Sequence, residues 1–105
     1  MTDKQLLEYA AKAAGIPGKW DGEHNCFYEF SHAFQNPWNP LQDDGASLRL
    51  AVAIKAKITI GNAIIMVEVE AQGTPDIGQE FTDNPTAATR RAIIRTAAEI
   101  GKAMP

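Results

Sequence analysis

Two strand-like runs dominate the hydrophobic pattern between Ala53 and Ala71, AIKAKITIGNAIIMVEVEA, and they flank Gly61-Asn62. That dipeptide favours a two-residue hairpin turn because it tolerates positive φ. Folding the chain there pairs Ile60 with Ala63, Ile58 with Ile65, Ala56 with Val67 and Ile54 with Val69, all apolar and all on one face. The other face pairs Thr59 with Ile64, Lys57 with Met66, and Lys55 with the oppositely charged Glu68. A one-residue slip would turn lysine onto the apolar face, so the pattern resists it.

Three helices are expected around this hairpin. Thr2 and Gln5 have capping-box spacing, and Leu6, Leu7, Ala10, Ala11, Ala13 and Ala14 follow as an apolar stripe over 3–14. Gly15 suits a left-handed cap and Pro17 prevents continuation. Residues 43–53 are ambiguous, because the even positions from Leu48 to Ile60 are all apolar and taken alone read as strand alternation. Helical spacing of Leu48, Ala51, Val52 and Lys55, with Asp43 or Asp44 as N-cap, argues for a helix running into the first hairpin strand. The third helix starts at Asp83 or Asn84 with Pro85 in its first turn and runs over 85–102. Its expected core stripe is Ile93, Ala97, Ile100 and Met104, with Ile94 and Gly101 beside it. Arg91, Arg95, Glu99 and Lys102 fall opposite, with Arg95 and Glu99 as an i,i+4 pair. Arg90 stands out because it falls on the apolar stripe.

The remaining stretches are less regular. Asn25–Ser31, with Cys26, Tyr28 and Phe30 alternating, is a strand candidate after a Trp20-Asp21-Gly22 turn. Asn36-Pro37-Trp38-Asn39-Pro40 reads as loop, since each Pro lacks an N–H and restricts the preceding Asn. QGTPDIGQEFTDNP, from Gln72, reads as a polar connection. The sum is one α+β domain over 1–105, in the order α-β-α-β-β-α.

Composition narrows the function classes. A chain of 105 residues buries enough surface to fold without metal or disulfide. A net charge of −3 supplies no overall basic field for nucleic acid or anionic membrane. No apolar run is long enough to span a bilayer, and MTDKQLLEYAA lacks the apolar stretch of a signal peptide. The single cysteine suits a reducing compartment, which makes the cytoplasm the expected location.

Candidate chemistry is sparse, and no catalytic residue, cofactor or metal is expected. His24, Cys26 and His32 invite a metal reading, but the paired spacing and fourth ligand of a zinc site are missing. Ser31 and Ser47 lack a nucleophile-elbow context, and Gly15-x-x-Gly18 is a helix stop rather than a phosphate loop. Asp43 and Asp44 form a carboxylate pair of the kind that caps a helix. Glu68 and Glu70 share a strand face, and Trp20 and Trp38 suit packing.

Three segments carry a family resemblance: WNPLQDDGASLRLAVAIK at 38–55, NPTAATRRAIIRTAAEIG at 84–101, and LLEYAAKAAGIPGKW from Leu6. They resemble the phage ABA-sandwich family, small phage and prophage proteins related to the NinX-like proteins of lambdoid phages. Residues 21–35 and 72–82 carry no such likeness. The resemblance implies an α-β-α sandwich with helices on both faces of the hairpin, in a bacterial host cytoplasm, and it implies no activity.

Three functions follow as expectations. The first is a non-catalytic accessory protein that binds a host or phage protein. The second is a small-molecule or nucleotide-signal binder built on Trp38, Asn39, Asp43 and Asp44 with Arg90 or Arg91. The third is nucleic-acid contact through Arg90, Arg91 and Arg95. A guanidinium keeps its charge inside a protein, so Arg90 must snorkel out, pair with a carboxylate or face a ligand. It is expected to reach the Asp43–Asp44 and Trp38 region as a structural clamp or as the floor of a binding site. As a buried clamp it would be worth on the order of 3 kcal/mol.

Overall fold

A computed structural model describes residues 1–31, 34–70, 73–80 and 84–105. Three helices and two antiparallel three-stranded sheets alternate along the chain. They are α1 (Asp3–Ala14), β1 (Gly18–Asp21), β2 (Cys26–Ser31), β3 (Phe34–Pro37), α2 (Asp44–Ala53), β4 (Lys57–Ile60), β5 (Ile64–Glu68), β6 (Ile77–Glu80) and α3 (Pro85–Ala103). The α+β class and all three helices are as the sequence led us to expect. Three further strands, β1, β3 and β6, extend the two β regions.

Local chemistry sets the helix ends. The Thr2 hydroxyl accepts from the Gln5 amide at 3.2 Å while the Gln5 side chain accepts from the Thr2 amide at 2.9 Å. Gly15 adopts φ 70° and closes α1, and the Ile16 amide reaches back to Ala11. Asp43 caps α2 by accepting from the Gly45 and Ala46 amides, and Asn84 caps α3 by accepting from Ala87. Asp83 lies outside the described residues.

The two terminal helices pack side by side and run in the same direction. Asp3 pairs with Arg91 at 3.6 Å, Tyr9 lies against Gly101, and the Lys12 ammonium donates to the Met104 carbonyl at 2.9 Å. Small residues make this close approach possible: Ala10, Ala97 and Ala98 have no exposure, and a Cβ at Gly101 would collide with the Tyr9 carbonyl oxygen. The first sheet rests on α1 and the second on α3, so the helical pair joins the two sheets. One hydrophobic cluster runs through Leu6, Leu7, Phe27, Trp38, Leu50, Ile65, Val67, Ile93 and Ile94.

The hairpin departs from its expected register. Ile60 pairs with Ile65, Ile58 with Val67, Thr59 with Met66 and Lys57 with Glu68, a shift of two residues. A shift of two keeps every side chain on its original face, so the alternation cannot detect it. The Gly61 amide donates to the Ile64 carbonyl at 2.9 Å, which moves the turn onto Asn62-Ala63, and neither Gly61 nor Asn62 takes positive φ. The shift releases Ile54–Ala56 to finish α2. The Ile54 and Ala56 amides donate to Leu50 and Ala51, and Lys55 takes the left-handed conformation at φ 56°.

Other expectations need correction. Among the described residues helix covers one face of the second sheet, and Lys57, Thr59 and Ile64 on the other face are exposed. Asn36 and Pro37 belong to edge strand β3, where a proline is tolerated, so the loop starts at Trp38. On α3 Ile94 and Gly101 are buried beside the stripe as expected, and the buried side is broader still, taking in Ala88, Ala92, Ala98 and Thr96, whose hydroxyl donates to the Ala92 carbonyl at 2.9 Å. Met104 is exposed. Arg95 bonds the β6 residues Gly78 and Gln79 in place of Glu99.

Candidate functional site

The starts of α2 and α3 meet beside β4, and there Arg90 turns off the apolar stripe. Its Nε donates to the Leu41 carbonyl at 2.8 Å and its Nη1 to Asp44 Oδ1 at 2.7 Å. The two partners differ in exposure, with Arg90 only 16% exposed at its side chain and Asp44 73%. The carboxylate is therefore hydrated, and the pair is not a buried clamp. What holds Arg90 is the carbonyl of the loop before α2. We expect Arg90→Ala to cost about 2 kcal/mol, because the Leu41 carbonyl loses a charged donor. Asp44→Asn should cost under about 1 kcal/mol, in keeping with an exposed ion pair. Urea unfolding of both variants tests this, and equal losses would contradict it.

The other sequence candidates do not gather at this point. Trp38 is 6% exposed and packs edge-to-face on Phe27 with ring centroids 5.7 Å apart, so its indole is a core element. Asn39 folds the loop: its side chain accepts from the Leu41 amide at 3.1 Å and its carbonyl from Gln42 and Asp43. Asp43 is occupied by capping. Arg91 points to Asp3 and, with Arg95, lines a separate cleft of about 380 Å³. The stacking platform of Trp38 with Arg90 or Arg91 is thus not assembled. Nor do the three arginines form a free basic stripe, since each meets a carboxylate or carbonyl.

The metal reading falls on the β1–β2 turn. Asp21 accepts from the Glu23 amide at 2.9 Å, and its Oδ2 lies 2.8 Å from His24 Nδ1. The His24 hydrogen bond, followed by the backbone amides, lowers the Asp21 pKa despite opposing desolvation. Cys26 is half-buried and His32 lies outside the described residues. Among the described residues no group of three His, Cys, Asp or Glu is placed to hold a metal ion, and no helix is long and apolar enough to cross a membrane.

On this side lies a groove of about 590 Å³ that sequence reading missed. Leu48, Ile58, Ile60 and Ile93 form its apolar walls, and Asp44, Ser47, Thr86, Thr89 and Arg90 join them where the two helices begin. Leu48 is 64% and Ile60 65% exposed, while Ser47 is buried and its hydroxyl has no hydrogen-bond partner among the described residues. The groove exists because α3 covers the sheet over Ile65 and Val67 but leaves the corner at Ile60 open. A signal for it was present in α2, which is apolar on two sides. Ala46, Leu50 and Ala51 face the core, and Leu48 and Val52, one turn apart, face outward.

No family model matches the chain, and no curated protein or solved structure does either.

Proposed function

We propose that this chain is a non-catalytic accessory protein, of the phage or prophage kind its sequence resembles, that binds a partner polypeptide of host or phage in the groove between α2, α3 and β4. The observation that carries this reading is the wide-mouthed aliphatic wall, in which Leu48 and Ile60 stand mostly in solvent. Small-molecule sites bury most of their ligand in an enclosed cleft, whereas exposed apolar patches rimmed by polar groups mark protein contacts. Among the described residues the wall holds no aromatic side chain to stack a base, and the arginine found there is already bonded to Leu41 and Asp44. Aliphatic side chains of a partner suit Leu48, Ile58, Ile60 and Ile93, with polar contacts supplied by Thr86 and the exposed Asp44.

A displayed peptide library selected on the immobilised protein tests the reading. Peptides rich in aliphatic residues should be enriched on the wild type and lost at least tenfold on Leu48→Asp, an exposed position whose change leaves the core intact. Equal enrichment on both proteins, or none on either, would overturn it.

A further inference from the structure

The four sheet edges of this fold are not treated alike. On β6, the Gly78 carbonyl accepts from Arg95 Nη1 at 3.3 Å. The β3 edge ends in Pro37 and the β1 edge carries Lys19 and Asp21. Charges, prolines and covering side chains are the ordinary means of blunting an edge. The β4 edge, Lys-Ile-Thr-Ile, has only Lys57 at its start.

Ladder alternation shows which β4 groups are free. Gly61 donates to Ile64, so Gly61–Ile64 is a hydrogen-bonded pair, and Thr59–Met66 and Lys57–Glu68 follow at alternate steps. Ile58 and Ile60 therefore turn their N–H and C=O groups away from β5. The Ala56 amide, next in this outward series, is taken by the Ala51 carbonyl. Among the described residues nothing bonds the outward groups of Ile58 and Ile60.

We infer that this edge pairs with the β4 edge of a second copy of the chain, antiparallel about a two-fold axis through Thr59, to make one continuous six-stranded sheet. The segment is self-complementary in that register. Ile58 faces Ile60 of the second copy and Ile60 faces its Ile58, so each copy's two free N–H and two free C=O groups are all paired. Thr59 falls opposite Thr59, a favourable cross-strand match, and Lys57 falls opposite Gly61, so no like charges meet. The axis is perpendicular to the sheet and keeps faces in common. The two grooves open on the same side, with their Ile58 and Ile60 walls adjoining across the dyad. This pairing uses backbone, whereas the peptide reading uses the groove side chains, and the two stand or fall separately.

Oligomeric state and a disulfide trap test the inference. Sedimentation velocity should show a concentration-dependent dimer in the wild type. Ile60→Pro removes an outward N–H that the internal ladder does not use, so it should leave the circular dichroism unchanged and shift the protein to monomer. In a Cys26→Ser background, Thr59→Cys places the two thiols in a non-hydrogen-bonded pair about 4.5 Å apart at Cα, close enough to bridge. It should give a covalent dimer on mild oxidation, with Thr86→Cys as the unbridged control. A monomer at every concentration, an Ile60→Pro variant that dimerises like the wild type, or a Thr59→Cys variant that bridges no better than the control would each overturn it.

Discussion

Replacing Gly101 with alanine should destabilise the protein by about 3 kcal/mol, although alanine is the better helix former by about 1 kcal/mol. The reason is the neighbouring helix. A Cβ at position 101 would meet backbone, the carbonyl carbon and oxygen of Tyr9, which cannot rotate away. Relief requires α1 and α3 to separate, and that separation opens the packing among Ala10, Ala97 and Ala98. For a domain of this size the loss corresponds to a melting temperature lower by roughly 12–24 °C. Gly45→Ala is the matched control. Its Cβ would meet the flexible end of Arg49 at 3.1 Å, so the change should be near neutral or slightly stabilising. Equal melting temperatures for Gly101→Ala and wild type would mean that the helices do not pack this closely.

Trp38→Ala is expected to cost about 3–5 kcal/mol, the range for emptying a large aromatic site in a core. The indole is almost fully buried against Phe27, and the Trp38 amide donates to the Phe27 carbonyl at 2.9 Å, so side chain and backbone anchor the same point of the first sheet. Trp38→Phe should recover most of the loss by keeping an aromatic edge on Phe27. Denaturant unfolding followed by circular dichroism measures both. A Trp38→Ala variant as stable as the wild type would place the indole in solvent and reopen a stacking role for it.

The sequence was most legible where one residue satisfies its near neighbours. Thr2 with Gln5, Asp43, and Asn84 with Pro85 mark the three helix starts because capping is a contact over two or three positions. The hairpin's faces were legible for the same reason, but its register was not. Ile58 opposite Ile65 and Ile58 opposite Val67 both pair branched apolar residues on one face, and only the need to end α2 through Ala56 separates them. Strands β1, β3 and β6 escaped notice because each is four residues long and carries turn-forming Gly or Pro. Of the candidate site, the approach of Arg90 to Asp44 was legible from a charge on an apolar stripe. Exposure was legible only in part: α2 is apolar on two sides, so one of them had to face outward, but which side, and that Ile60 joins it in solvent, depends on where α3 stops covering the sheet.

The parallel packing of α1 on α3 also bears on how the chain acquires its structure. The bond from Lys12 to Met104 spans 92 residues, and the helices that join the sheets come from opposite ends of the sequence. Bringing such distant segments together costs about 4 kcal/mol of chain entropy before any contact repays it. Until that closure each sheet has only its sequence-adjacent helix to rest on, α1 beneath the sheet of Phe27 and α3 beneath that of Ile65 and Val67. The meeting of the two helices is the step that such a topology is expected to make slow, and a folding rate lowered by Gly101→Ala in stopped-flow refolding would show it.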